Sequence, residues 1–179
     1  MIVDAAEEQP IALIGLMGAG KTVVAARLAA RLSRRAVDLD AVVAAEAGGS
    51  IATLFATEGE AAFRERETRA LEAELRARPA PILATGGGIV LRPRNRRLLG
   101  ACRVVWLLVS PAEAARRIAG TDHRPLARGE DPEGVLAGLL EAREALYAAV
   151  AEVRLRTDGR SVDAVAAAVV QALQLHADH

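Results

Sequence analysis

Eight residues near the start of the chain, Gly15-Leu16-Met17-Gly18-Ala19-Gly20-Lys21-Thr22, follow the pattern G-x-x-x-x-G-K-[ST]. That spacing serves the holding of a polyphosphate. Glycines let the backbone curl until successive N–H groups and the positive end of the next helix face the anion. Lys21 is then placed to bridge the β- and γ-phosphates of a nucleotide, and the Thr22 hydroxyl to ligate Mg²⁺. The motif follows an apolar run and opens a helix-forming segment, the context it requires. It points to a nucleotide but leaves the reaction open, because GTPases, motor ATPases and kinases share it. A plain glycine-rich turn is the bland alternative.

Three further groups could act on a phosphate acceptor. Asp38 and Asp40 close the run AVDLD. Read as the end of a strand, they face the same way about 7 Å apart, one for the metal shell and one for an acceptor hydroxyl. The competing reading has Asp40 capping the next helix. In the charged segment around Phe63-Arg64-Glu65-Arg66-Glu67, helical spacing puts Glu60, Arg64 and Glu67 on one face. A solvated salt-bridge ladder explains that equally well. Gly86-Gly87-Gly88 follows the run ILAT, where missing side chains would let backbone N–H groups approach a ligand, or simply make a flexible turn.

The elements that must position these groups alternate. Short β-rich runs over 11–14, 36–39, 82–85, 104–108 and 153–155 are followed by helical or loop segments, with helices expected over 21–31, 58–78, 111–118, 132–150 and 161–175. Continuous apolar runs such as ACRVVWLLV suit parallel strands covered on both faces. Right-handed crossovers then give a doubly wound α/β sheet that gathers ligands beyond its carboxyl ends. Two stretches break the rhythm: residues 40–68, which insert short helices, and residues 119–131, which read as a lid or an ordinary surface loop.

At 179 residues and 52% hydrophobic, the chain suits one domain with a sizeable core. Lys+Arg and Asp+Glu are both 23, so no basic field draws in nucleic acid or an anionic membrane. Cys102 is the sole cysteine, and neither a secretory leader nor a bilayer-spanning run is evident, so a cytoplasmic protein binding small molecules is expected. Cys102 reads as a small core residue. His123 reads as a solvated loop residue with phosphate contact as the alternative, and His176 and His179 as a frayed tail.

In order and spacing, GLMGAGKT, DLD, FRERE, GGG, HRPL and REALY resemble the shikimate kinases, over roughly residues 10–165. The resemblance implies a three-layer P-loop kinase fold with a central five-stranded parallel sheet, a substrate-binding insertion at 40–68 and a lid at 119–131. It also implies a monomer that phosphorylates the shikimate 3-hydroxyl from Mg²⁺-ATP, on the route to chorismate and the aromatic amino acids. Shikimate carries one carboxylate and three hydroxyls, so planar cationic forks should stand at one end and hydroxyl acceptors at the other.

By the same resemblance, Arg64 and Arg143 hold the carboxylate. Asp40 holds the hydroxyls and orients or deprotonates the attacking one, and the backbone of Gly86, Gly87 and Gly88 lines the remaining edge. Asp38 joins Thr22 in the magnesium shell. Gly18, Ala19, Gly20, Lys21, Thr22, Val23, Arg117, Arg124 and Arg160 serve the nucleotide, with Lys21, Asp40 and Arg124 catalytic. Arg124 matches the family's lid arginine. Arg117 matches the arginine that stacks on adenine, with an exposed helix charge as its alternative. Phe55 and Phe63 form an apolar pocket wall or simply core.

The chain departs from the family at Val23, where a second hydroxyl residue is common, and at Ala26 and Ala36. TDGRSVDAV lacks a proline often found near adenine. A gluconate or nucleoside monophosphate kinase, or a catalytically silent nucleotide-binding module, are the rival readings. The paired arginines with GGG, and the retained Lys21, Asp38, Asp40 and Arg124, argue against them.

Overall fold

The computed structural model describes residues 9–119 and 131–175. Most of the expected lid lies outside the described residues, including His123 and Arg124, as do His176 and His179.

Five strands, β1 (Ile11–Ile14), β2 (Ala36–Asp38), β3 (Ile82–Ala84), β4 (Arg103–Leu108) and β5 (Val153–Arg156), form one sheet in the order β2-β3-β1-β4-β5, and every pairing is parallel. The helices are α1 (Lys21–Arg31), α2 (Leu39–Ala47), α3 (Ile51–Arg76), α4 (Pro93–Leu99), α5 (Pro111–Ile118), α6 (Pro132–Val150) and α7 (Val162–Ala172). The expected three-layer α/β architecture is therefore present.

Side-chain alternation along the central strands splits the core in two. Ile11 and Leu13 of β1 pack with Val105 and Leu107 of β4 against Leu28 of α1 and Val165 and Val169 of α7. Ala12 and Ile14, with Val104 and Trp106, face Leu71 of α3, Leu99 of α4 and Tyr147 of α6. Fully burying each large aliphatic side chain stabilises the fold by roughly 1.5–3 kcal/mol, so both helical layers are fixed to the sheet. Among the described residues, no single helix is long and apolar enough to cross a membrane.

Local chemistry sets the element ends. Ser50, Ser110, Asp131 and Ser161 accept backbone N–H bonds as N-caps of α3, α5, α6 and α7, and proline opens α4, α5 and α6. Three expectations need correction. β2 stops at Asp38, because its carboxylate caps α2 by accepting from Asp40 N (3.0 Å) and Ala41 N (3.3 Å). Asp40 therefore lies in the first helical turn, not on a strand face, and Asp38 is the capping residue. The helix expected over 58–78 belongs to α3, which breaks at Gly59 (φ 84°, ψ 172°), a backbone region open almost only to glycine. The short helix α4 was not expected.

All five strand ends contribute to one edge of the molecule: Gly15 follows β1, Asp38 ends β2, Gly86 to Gly88 follow β3, Ser110 follows β4 and Thr157 follows β5. Gly15 makes that edge compact. It takes φ 137°, and a Cβ there would fall 2.4 Å from the Leu107 carbonyl oxygen. Gly15→Ala is accordingly expected to destabilise the fold by at least about 2 kcal/mol. Gly138→Ala, in α6 with nothing within 4 Å of the added atom, should stabilise it by about 0.5–1 kcal/mol. Urea denaturation midpoints check both.

Candidate active site

The first turn of α1 leaves backbone N–H groups without intrahelical acceptors, and Gly20, its N-cap in the left-handed region, offers no side chain in their place. Ala19 N–H bonds to the Leu16 carbonyl, which closes the loop ahead of that turn. Lys21, only 9% exposed, reaches back across the loop and donates to the carbonyls of Gly15 and Leu16, both at 2.9 Å. Its ammonium therefore sits at the centre of the curl. On the outer side, Thr22 Oγ1 donates to Asp38 Oδ2 at 2.6 Å, joining the start of α1 to the end of β2.

The acceptor-side candidates meet around the triple glycine. A Cβ on Gly86 would lie 2.7 Å from Asp40 Oδ1 and 3.0 Å from Glu67 Oε1. One on Gly87 would lie 3.5 Å from the Gly15 oxygen and 3.6 Å from both Met17 N and Arg143 Nη1. One on Gly88 would fall 2.4 Å from Arg64 Nη2, inside the guanidinium. None of the three takes a positive φ. Glycine is required here for space, and the turn is an ordered one, with Ile89 N bonding to the Gly86 carbonyl and Leu91 N to that of Gly88. Three successive glycines thus touch a carboxylate pair, the phosphate loop and both arginines.

Arg64 is clamped from both sides. Nε and Nη2 each donate to Glu60 Oε1 at 3.2 Å, Nη1 donates to Glu67 Oε1 and Oε2 at 3.2 and 3.0 Å, and the guanidinium carbon lies 5.0 Å above the Phe63 ring. The ladder spacing seen in the sequence is real, but it is only half solvated: Glu60 is 61% exposed and Glu67 is wholly buried. Burial pushes the Glu67 carboxyl up to about 7 against the pull of Arg64, with Asp40 adding to the rise. Phe63 is buried in the core and packs on Phe55 with ring centroids 4.9 Å apart. On α6, Arg143 Nη1 and the hydroxyl of buried Tyr147 both donate to the Gly87 carbonyl.

On the nucleotide side, Arg117 is not an exposed helix charge. It donates to Glu113 Oε1 at 2.7 Å, to the Gly18 carbonyl at 3.2 Å, and to Thr157 Oγ1 and O at 3.0 and 2.9 Å. Arg116, then Arg117, hold the Glu113 carboxyl down at about 2. Val23 is exposed beside Thr22 on α1. Arg160 is exposed on the loop after β5 and donates to the carbonyls of Arg156 and Ala164, within its own segment.

The sequence pattern of the shikimate kinase family matches residues 17–174. The chain is 45% identical over 167 residues to a shikimate kinase of Symbiobacterium thermophilum, covering 92% of this chain and 95% of that one. It is 44% identical to one of Halorhodospira halophila, covering 92% and 93%. It superimposes with a TM-score of 0.88 on the shikimate kinase of Acinetobacter baumannii solved in complex with shikimate, at 37% identity and 93% coverage of both chains. The chain belongs to the shikimate kinase family.

Within this family member, the fold brings Lys21, Thr22, Asp38, Asp40, Arg64, Gly86 to Gly88 and Arg143 to one edge. Arg117 joins them through Gly18, whereas Arg160 stays on its own loop and Arg124 lies outside the described residues. Of the side chains that meet these groups, Glu67 was read only as a member of the helical face with Glu60 and Arg64, and Tyr147 only as part of REALY. Their signals were present: Glu67 stands three residues after Arg64, and Tyr147, the only tyrosine, stands four after Arg143 on the same helical face.

The raised Glu67 carboxyl gives a pH prediction. The folded state keeps this proton to higher pH than the unfolded chain, so the contribution is fully present below about 4.5 and is lost as pH rises through about 7. Glu67→Gln removes the ionisation while keeping an acceptor for Arg64. Between about pH 5 and pH 8 its melting temperature should fall less than the parent's, as followed by circular dichroism.

Proposed function

We infer that the chain transfers the γ-phosphoryl group of ATP to the 3-hydroxyl of shikimate, giving shikimate 3-phosphate and ADP in the route to chorismate and the aromatic amino acids. The observation that carries this reading is the glycine turn. It holds two arginines, a carboxylate and the phosphate loop within one or two contacts of each other. A cyclic acid with a carboxylate at one end and hydroxyls at the other fits that order, and a neutral polyol would leave the arginine pair unused.

Arg64 and Arg143 are assigned the acceptor carboxylate, as planar forks. Asp40, fixed in the first turn of α2 against Gly86, is assigned the attacking hydroxyl, which it orients and whose proton it accepts as the oxygen bonds to phosphorus. Lys21 is proposed to exchange the carbonyls of Gly15 and Leu16 for the β- and γ-phosphates. Ala19, Gly20, Thr22 and Val23 contribute backbone N–H groups at the loop and the helix start, and Arg117 fixes Gly18 while flanking the base. Arg160 is assigned the nucleotide's outer edge. Arg124 is assigned the transferring charge, from a lid over 119–131 that excludes water.

The donor set suits Mg²⁺. Thr22 and Asp38 present hard oxygens 2.6 Å apart at the mouth of the loop. No cluster of three metal-ligating side chains exists among the described residues, and Mg²⁺ characteristically takes its remaining ligands from phosphates and water. When bound there, the ion would neutralise charge on the β- and γ-phosphates. A single kinase domain over 1–179, acting as a cytoplasmic monomer without nucleic acid or membrane partners, completes the proposal; the balanced charge supports it.

Two substitutions test the roles. Asp40→Asn should lower kcat by at least about a hundredfold while leaving ATP binding intact. Arg64→Lys should raise the shikimate KM by roughly tenfold with kcat little changed, because the fork is lost and the charge kept. Steady-state kinetics with each substrate varied, plus calorimetric ATP binding, measure both. An Asp40→Asn variant as active as the parent would remove Asp40 from the reaction.

A further inference from the structure

At the backbone carbonyl of Arg64 lies a buried polar knot that the proposed chemistry does not use. Thr68 and Asn95 are both fully buried. Thr68 Oγ1 lies 2.9 Å from the Arg64 carbonyl oxygen and 2.8 Å from Asn95 Oδ1. Arg92 Nη1 donates to the same Arg64 carbonyl and to Thr68 Oγ1, both at 2.9 Å, and pairs by charge with Glu65 Oε2 at 2.9 Å. Buried polar groups of this kind are costly unless fully paired, so an apolar contact would be the cheaper way to join α3 to α4.

The knot's hydrogens can be counted. A threonine hydroxyl has one, so it cannot serve both the Arg64 carbonyl and Asn95 Oδ1, and Asn95 Nδ2 is buried without a partner. Turning the Asn95 amide over removes the first fault, since an amide's two ends are distinguished only by their bonding, and leaves Oδ1 in place of Nδ2 as the amide's unpartnered end. Asn95 Nδ2 and Arg92 Nη1 then donate to Thr68 Oγ1, and Thr68 donates its one hydrogen to the Arg64 carbonyl. Every donor in the knot then converges, directly or through Thr68, on the backbone oxygen of Arg64.

The tie also has a definite mechanical target. Arg92 and Asn95 follow Gly88 by four and seven residues, in the same segment as the glycine turn. The knot therefore joins the backbone carrying Arg64 to the backbone carrying Gly88. Those two surfaces leave no room for a methyl group between them, with the guanidinium 2.4 to 2.6 Å from the Gly88 Cβ position. A small slide of α3 against that turn would displace the fork by a distance comparable to a hydrogen-bond tolerance.

We propose that Thr68, Asn95 and Arg92 are positioning residues that set the register of Arg64 over Gly88 and thereby the enzyme's affinity for the acceptor carboxylate. This rests on Arg64 being a carboxylate-binding residue, and the test separates the two. Thr68→Val removes the hydroxyl at constant shape, Thr68→Ser retains it, Arg92→Met removes the tie from a side chain that is 36% exposed, and Arg64→Lys serves as the reference. Steady-state kinetics with shikimate and ATP varied separately are run beside melting temperatures.

Thr68→Val should raise the shikimate KM about tenfold and Arg92→Met about threefold, with the ATP KM unchanged and Thr68→Ser close to parental. Folded Thr68→Val and Arg92→Met enzymes with parental shikimate KM, alongside a raised KM in Arg64→Lys, would overturn the positioning role alone. Equal rises in both KM values would also overturn it, by showing a general loss of structure. A parental KM in Arg64→Lys would overturn the carboxylate reading and this proposal with it. If Thr68→Val does not fold, Arg92→Met carries the decision.

Discussion

The site depends on three absent Cβ atoms. Gly86, Gly87 and Gly88 follow β3, between β2 and the central β1, and each lies against a different group of the site. With alanine at 86, Asp40 and Glu67 would be pushed aside; with alanine at 88, the Arg64 guanidinium would have to leave. The turn is not flexible, since its own carbonyls are bonded to Ile89, Leu91, Arg143 and Tyr147. It acts as a thin floor, on which groups from α2, α3 and α6 approach the phosphate loop more closely than any side chain there would allow.

Concentrating charge on that floor has an energetic consequence. Glu67 is fully buried next to Arg64 and Asp40, and burial outweighs the arginine in setting its proton affinity. A buried ion pair is weak evidence for stability. Here it serves geometry: Glu60 and Glu67 fix two edges of the Arg64 guanidinium. The same rule holds around Gly18, where Arg117 bridges Glu113, Gly18 and Thr157 so that α5 and the end of β5 brace the loop before α1. Arg64, Arg117 and Arg143 are thus each held by carboxylates or carbonyls of the chain itself.

Much of this was legible from the chain. The bounds expected for β1, α1, α5 and α6 agree with those observed. The curl over residues 15–22 was evident because the spacing of its glycines, Lys21 and Thr22 is a tightly constrained pattern. Asp40 was misplaced because strand periodicity was extended two residues too far, past Asp38, a carboxylate that ends β2 and caps the next helix. Glu67 was hidden because its spacing from Arg64 fits a solvated ladder as well as a buried clamp, and only the packing of α3 on α4 and β3 decides between them. Gly59 and α4 were missed because a lone glycine and a seven-residue helix carry little periodic signal.

The central claim is that this arrangement of phosphate loop, Asp40 and paired arginines selects shikimate as acceptor. It is tested most directly by ADP formation from Mg²⁺-ATP by the purified protein, with shikimate, gluconate or a nucleoside monophosphate added separately. Strong stimulation by shikimate alone is the expected result. Equal or greater stimulation by gluconate or a nucleotide, or none by any acceptor, would contradict it.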